Sequence, residues 1–366
     1  MAHISAAEGT AGTKMKVWEK NVRRVVPYTP GEQPDCPDMI KLNTNENPYP
    51  PSPKVSQAWK ELDTDSFRLY PDPSSSELME ALASYYHRDP SCFFVGVGSD
   101  DVIAMAFQTF FNSEKPILFP DISYSFYSVW ADLFGIPYRR PALDEEFRLV
   151  KEDYFAENGG IIFPNPNAPT GLYLELDAVE EIVSRNSDSV VIVDEAYVDF
   201  AGPSAISLVD KYENLLVVQT FSKSRSMAGM RVGFAVGSPK LIRFMQDVKY
   251  SFNSYTMNLP ALKLGAAAVR DEEYFRETVG KIVASRERTK KELVKLGFHF
   301  PDSQANFIFA KHESVPAEEL FQALRREHIY VRHFASERIN NYLRITIGTD
   351  REMDILLQFL REYLKK

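Results

Sequence analysis

Cysteine is scarce in this chain. Only Cys36 and Cys92 occur among its 366 residues, which allows neither a disulfide framework nor a zinc-finger spacing and suits a reducing compartment such as the cytoplasm. Histidine is also sparse. The six histidines are scattered, with no pair at ligand spacing beside a carboxylate on one helix face, so no metal site is expected. No apolar run reaches bilayer-spanning length, and no secretory signal is visible, so no membrane partner is expected. A basic stripe is missing too. The formal net charge is -9, and the segment before Lys41 is too short and proline-rich for a helix-turn-helix module, which argues against nucleic acid as a partner. Anionic small molecules remain open, because they need only a local cluster of donors.

What is present is ordinary for a globular chain. The content is 44% hydrophobic and 25% charged, and the length allows a large core and two domains. Residues 1–14, MAHISAAEGTAGTK, read as a polar leader outside the fold. The stretch from Pro27 to Pro53 is rich in proline and asparagine and should be extended. From about Ser74 helices and strands alternate. SSSELMEALASYYH reads as a helix with serine caps, CFFVGVGS as a strand and turn, DDVIAMAFQTFF as a helix, PILFP as a strand and SYSFYSVWADLFG as a helix. GGIIFPNP, SVVIVDEAY and NLLVVQTFSK are the strongest buried-strand signals, and DAVEEIVSR has helical spacing. An α/β fold follows, with a mostly parallel sheet flanked by helices on both faces. After Leu259 helical patterns dominate, and ANFIFA, PAEELFQALRREH and NYLRITIG then suggest a smaller α+β domain. The expected organisation is an arm over 15–45 packed on the small domain, a large domain over 46–257 and the small domain over 258–366.

Ligands of open α/β sheets bind outside the carboxyl ends of the strands. One strand here exits into PNPNAPTG, a second into Asp194, Glu195, Ala196 and Tyr197, and a third into Ser222 and Lys223. Gly96 and Gly98 precede Ser99 and Asp100 where a helix should begin, a turn whose free N–H groups and positive dipole end suit a phosphate. Each feature has a plainer reading alone. Lys223 could be a surface lysine, Asp194 a metal ligand or helix cap, and GVGSDD an ordinary capped turn. Tyr124 and Tyr127 could be core aromatics, and Arg344 a strand-edge charge. Together they point to one chemistry. A lysine amine forms a Schiff base with a carbonyl, as pyridoxal phosphate requires, and afterwards serves as a general base. Asp194 suits the pyridine nitrogen, Tyr197 or an asparagine the ring hydroxyl, and Ser99, Asp100, Ser222 and Arg231 the phosphate.

At this point the sequence resembles the fold-type I pyridoxal-phosphate aminotransferases. The markers are VVPYTPG, KLNTNENPYPP, RLYPDP, GVGSDDVI, PNPNAPTG, VIVDEAYVDF, TFSKSRSMAGMRVGF and LRITIGT, in the family's order. NENPYP, YPDP and DEAYVDF point to its histidinol-phosphate branch, which exchanges L-histidinol phosphate and 2-oxoglutarate for imidazole acetol phosphate and L-glutamate. A threonine-phosphate decarboxylase or a broader aromatic or aliphatic aminotransferase is the alternative. The resemblance implies that Lys223 holds the cofactor covalently, Asp194 pairs with its ring nitrogen, Tyr197 bonds its ring hydroxyl and Tyr124 stacks on the ring. It implies that Tyr70 reaches the neighbouring subunit's cofactor phosphate in a homodimer with shared sites. Arg332 and Arg344 would take substrate anions, and Tyr28 would sit near the substrate. One departure stands out. The family often has asparagine directly before Pro-Thr-Gly, where this chain has Ala168; the expectation is that Asn167 takes over. Arg225 also stands where many relatives have an apolar residue, and is expected either in solvent or near the phosphate.

Overall fold

The computed structural model describes residues 16–365, and the expected leader lies outside them. A short 3-10 helix, Val17–Asn21, opens an otherwise irregular arm that ends in β1 (Ile40–Lys41). α1 (Pro53–Lys60) starts at Ser52, whose Oγ accepts from the Val55 amide, and carries proline where a missing N–H costs nothing. α2 (Ser76–Tyr86) follows, without the expected serine cap. Ser75 sits at φ 55 and makes no side-chain cap bond. Asp72 replaces it, accepting from the Ser74 and Ser76 amides at 2.9 and 2.7 Å, and a carboxylate also suits the positive end of the helix.

The larger unit continues with β2 (Phe93–Gly96), α3 (Gly98–Phe110), β3 (Ile117–Leu118), α4 (Phe126–Phe134) and β4 (Tyr138–Arg139). Then come β5 (Ile161–Pro164), α5 (Leu176–Arg185), β6 (Val191–Asp194), β7 (Leu215–Thr220) and β8 (Gly233–Gly237). α6 (Pro239–Phe252) and α7 (Leu259–Val269) complete it. The seven-stranded sheet has the order β2-β8-β7-β6-β5-β3-β4. All neighbours are parallel except β8, which is antiparallel to both β2 and β7. Its central strands are continuously apolar because both faces are covered. Val191 and Val193 face the core built with α2, α5 and α7, while Ile192 faces the core built with α3, α4 and α6.

The smaller unit contains α8 (Glu272–Lys295), β9 (Phe298–His299), β10 (Phe307–His312), α9 (Ala317–Arg326), β11 (Ile329–Tyr330), β12 (Arg332–His333), β13 (Leu343–Thr346) and α10 (Asp350–Tyr363). Its antiparallel sheet runs β12-β13-β10-β9. α10 opens on a capping box of Thr349 and Glu352. α7 follows the expected boundary at Met257, yet Ala261, Leu262 and Leu264 share the core of the larger unit and the helix packs on α1 and α2.

The arm touches both units. β1 pairs in parallel with β11, and the Leu42 amide donates to Tyr330 O at 2.7 Å. Earlier, Arg23 Nη1 donates to Leu133 O at 2.9 Å and Tyr28 stacks on Phe126 at 4.2 Å. Central-strand packing should dominate stability. Ile192→Ala, at a fully buried position, should cost about 2–5 kcal/mol, read as a lower urea midpoint at unchanged slope.

Candidate active site

The carboxyl ends of β5, β6 and β7 open on one cavity of about 450 Å³. The strands end level because the ladder continues past them: Asn165 N donates to Asp194 O at 2.8 Å and Glu195 N to Val218 O at 2.7 Å. After β7, fully buried Phe221 fixes the next turn, with Phe221 N on Val232 O at 2.9 Å and Met227 N on Phe221 O at 3.0 Å. That turn presents Lys223 to the cavity. Its Nζ donates to Thr44 O at 3.0 Å and lies 5.8 Å from the centre of the Tyr197 ring.

Asp194 is 5% exposed. Its Oδ2 accepts from Tyr127 Oη at 2.7 Å and its Oδ1 from the Ala196 amide at 3.2 Å. Burial pushes this carboxyl up to about 6; the two hydrogen bonds and the Lys223 charge oppose the rise, and Asp100 adds to it. A cation beside Asp194 would hold it ionised. Tyr197 accepts from Asn45 Nδ2 at 2.9 Å, and Asn45 in turn accepts from Thr346 Oγ1 at 3.0 Å. The NENP motif thus orients Tyr197. Asn45, Thr44 and the Tyr127 hydroxyl were missed as site groups in the sequence. The default reading of Tyr127 as a core aromatic accounts for its ring but not for its hydroxyl.

The first turn of α3 meets Arg231 and Ser222 at one end of the cavity. Arg231 Nη1 points to Ser222 Oγ at 3.5 Å, and its Nη2 pairs with Asp100 Oδ2 at 3.1 Å. Asp100 also accepts from Tyr124 Oη at 2.9 Å. Its carboxylate is therefore occupied, and its amide is the group that can face an anion. Two glycines make the cup possible. A Cβ on Gly98, at φ +82, would lie 2.5 Å from Arg231 Nη2, and one on Gly233 would lie 2.3 Å from Gly98 C and Ser99 N.

Tyr28, Tyr124, Arg332 and Arg344 line the same cavity. Arg344 donates to Asn43 O at 3.0 Å, while its buried Nε has no partner among the described residues. Burial pushes the Arg344 pKa down. Such a guanidinium fits an incoming anion. Asn167 is not among the residues that line the cavity. Its Nδ2 donates to Ile122 O at 3.1 Å and Thr170 Oγ1 at 2.9 Å, so the amide holds its own loop, and Ala168 faces the cavity instead. Tyr70 is 81% exposed, stacks on Tyr255 at 4.6 Å and lies outside this cavity.

These groups fit pyridoxal phosphate on the structure's own terms. Among the described residues, a lysine amine with no acid in ion-pair contact, a buried carboxylate with no cation in ion-pair contact, a glycine-lined anion cup and a buried guanidinium whose Nε has no partner share one chamber of suitable volume. Residues 37–360 match the family described as aminotransferase class I and II, and the chain belongs to it. It is a pyridoxal-phosphate-dependent aminotransferase of fold-type I. Among its relatives, histidinol-phosphate aminotransferase of Lactococcus lactis subsp. cremoris is 52% identical over 95% of this chain and 98% of its own. That of Pseudomonas putida is 52% identical over 94% and 99%. The histidinol-phosphate aminotransferase of Sinorhizobium meliloti, solved with pyridoxal-5'-phosphate, superposes with TM-score 0.80 at 23% identity, covering 89% of this chain and 91% of that one. L-threonine-O-3-phosphate decarboxylase of Porphyromonas gingivalis has the same fold, with TM-score 0.76 at 19% identity, covering 90% and 100%.

Two outcomes follow. Gly233→Ala should weaken pyridoxal phosphate binding roughly tenfold or more by moving the α3 amides off the phosphate, as a charge-assisted bond carries about 1.5–3 kcal/mol; fluorescence titration reads it. For Asp194 the sign is set by its raised value. The folded, cofactor-free protein keeps this proton to higher pH than the unfolded chain, so the stability it contributes falls as pH rises from 3.8 to about 6. Thermal midpoints of cofactor-free protein should fall over that window relative to Asp194→Asn, and added pyridoxal phosphate should remove the difference.

Proposed function

We propose that the chain transfers the amino group of L-histidinol phosphate to 2-oxoglutarate, giving imidazole acetol phosphate and L-glutamate, in histidine biosynthesis. The observation that carries this reading is the combination in one cavity of the Lys223 amine, the anion cup at α3 and a second cationic end at Arg332 and Arg344. The names of relatives near half identity support the same substrate.

Bound pyridoxal phosphate supplies a carbonyl for amine exchange and a protonated ring that draws electrons from the reacting carbon. Lys223 would hold it through Nζ, and its amine would serve as general base for the proton on the substrate's amino-bearing carbon. Asp194 would keep the ring nitrogen cationic. Tyr197, oriented by Asn45, would donate to the ring hydroxyl, and Tyr124 would pack against the ring. The Ser99 and Asp100 amides, the Ser222 hydroxyl and Arg231 would hold the phosphate. Arg332 and Arg344 take the substrate phosphate and the carboxylates of 2-oxoglutarate, and Tyr28 closes over them from the arm.

The active unit in this reading is a cytoplasmic homodimer. Tyr70 stands exposed next to Leu69 in the chain and stacked on Tyr255, both also exposed, and would reach the partner subunit's cofactor phosphate. Lys249 supports this loop, donating to Pro73 O at 3.0 Å.

The deciding experiment offers the holoenzyme two substrates in parallel. Glutamate formation from L-histidinol phosphate and 2-oxoglutarate, without carbon dioxide release from threonine phosphate, is expected; the reverse pattern assigns the decarboxylase instead. Lys223→Ala should lose turnover and bind cofactor without a covalent link, so normal turnover in that variant would remove the role given to Lys223. Tyr70→Phe should weaken cofactor binding, and a monomer of full affinity would contradict shared sites.

A further inference from the structure

Arg225 lies two residues beyond Lys223, and it takes neither of its expected places. It is 9% exposed, and it does not line the cavity that holds the phosphate cup. Its guanidinium packs among three aromatic rings, with its carbon 4.2 Å from the Phe275 centroid, 5.0 Å from Tyr85 and 5.5 Å from Phe221. Nη1 donates to Ala268 O at 3.0 Å. These partners come from three places: Tyr85 from α2, Phe221 from the exit of β7, and Ala268 and Phe275 from either side of the turn joining α7 to α8.

The neighbouring residue connects this cage to the active site. Ser224 Oγ donates to Asp199 Oδ2, and Asn47 Nδ2 donates to Ser224 O at 3.1 Å. Asp199 follows Asp194 on the turn after β6, so the Ser224 contact joins the exits of β6 and β7. Burial raises the Asp199 carboxyl, and the Arg225 charge is the first influence that opposes it. A buried carboxylate stripped of its cation would have to protonate or shift toward water. Either change would alter how Ser224 is held.

We propose that Arg225 is a positioning residue: its caged guanidinium fixes the Ser222–Ser224 turn that aims Lys223 into the cavity, and ties that turn to the junction of α7 and α8. The inference rests on the role given to Lys223 above. It adds a requirement that no group in contact with the cofactor supplies. Lysine could keep the charge but would lose the planar stacking over Phe275 and its fixed donor fork. A methionine would fill the cage and remove the charge that opposes the rise of the Asp199 carboxyl.

The test uses holoenzyme with Arg225→Met, Arg225→Lys, Asp199→Asn and the double variant Arg225→Met with Asp199→Asn. Visible circular dichroism of the bound cofactor, kcat, KM and the thermal midpoint are read for each. Arg225→Met should lower kcat about tenfold to a hundredfold, as a small misplacement of a reacting group does. KM for histidinol phosphate should stay within about twofold, because substrate-binding groups are untouched. The visible dichroic band should weaken in parallel. Arg225→Lys should recover part of both losses. The double variant should be faster than Arg225→Met alone, because the amide introduced by Asp199→Asn can still accept from Ser224 without burying a charge. A lowered thermal midpoint with unchanged dichroism and kcat would overturn the proposal and leave Arg225 a packing residue. Should Arg225→Met not fold, Arg225→Lys decides alone: a reduced kcat at constant KM with a weakened dichroic band supports the turn's role, and wild-type kcat and dichroism overturn it. Failure of the wild-type protein to transaminate would strike the functional reading instead, while the dichroic response would still report on the turn.

Discussion

A carboxylate almost wholly buried at the end of a parallel strand resists ionisation without help, and Asp194, at the mouth of the cavity, is in that position. Its neighbours supply two hydrogen bonds, from Tyr127 and Ala196, and a distant share of the Lys223 charge. These fall short of cancelling the cost of burial, since the carboxyl still rises to about 6. The site is therefore arranged to receive a cation, and a protonated ring nitrogen provides one. The rest of the chamber follows from that demand. In the proposed reading the cup at α3 takes the phosphate and Lys223 the carbonyl end of the same molecule.

The arm and the smaller unit complete what the larger sheet begins. Residues 43–46 pass between the two units, giving Thr44 O to Lys223, Asn45 Nδ2 to Tyr197 and Asn43 O to Arg344. One short stretch thus touches the groups proposed to hold the cofactor, to bond its ring and to meet substrate. β1 joins that stretch to β11, so its position is set by backbone pairing rather than by side-chain contact alone. A motif that looks like a loop of asparagine and proline works here as a strap.

Much of this was legible in the sequence, because buried parallel strands read as short apolar runs and the residues following them must point into the crevice. Lys223, Asp194, Tyr197 and the first turn of α3 were picked out by that rule, and they line one cavity. The remainder depended on partners that periodicity does not name. The LPALKLGAAAV helix is apolar nearly all round, which indicates burial but not whether it lies against α2 or the smaller sheet. The serines before α2 have good capping chemistry, yet Asp72 reaches the same amides with charge in its favour. Asn167 was the nearest amide to the missing asparagine, but its hydrogens close the Pro-Thr-Gly loop. Arg225 shows the limit most clearly, since a guanidinium among aromatic rings is indistinguishable in sequence from one in solvent.

The central claim is that Lys223, Asp194 and the α3 cup hold pyridoxal phosphate for exchange of an amine with histidinol phosphate. It is tested most directly by visible absorbance of the purified protein through one cycle of additions. Pyridoxal phosphate should produce a visible band, L-histidinol phosphate should bleach it, and 2-oxoglutarate should restore it. A band that forms and then ignores L-histidinol phosphate would contradict the account, leaving cofactor binding intact and the substrate wrong.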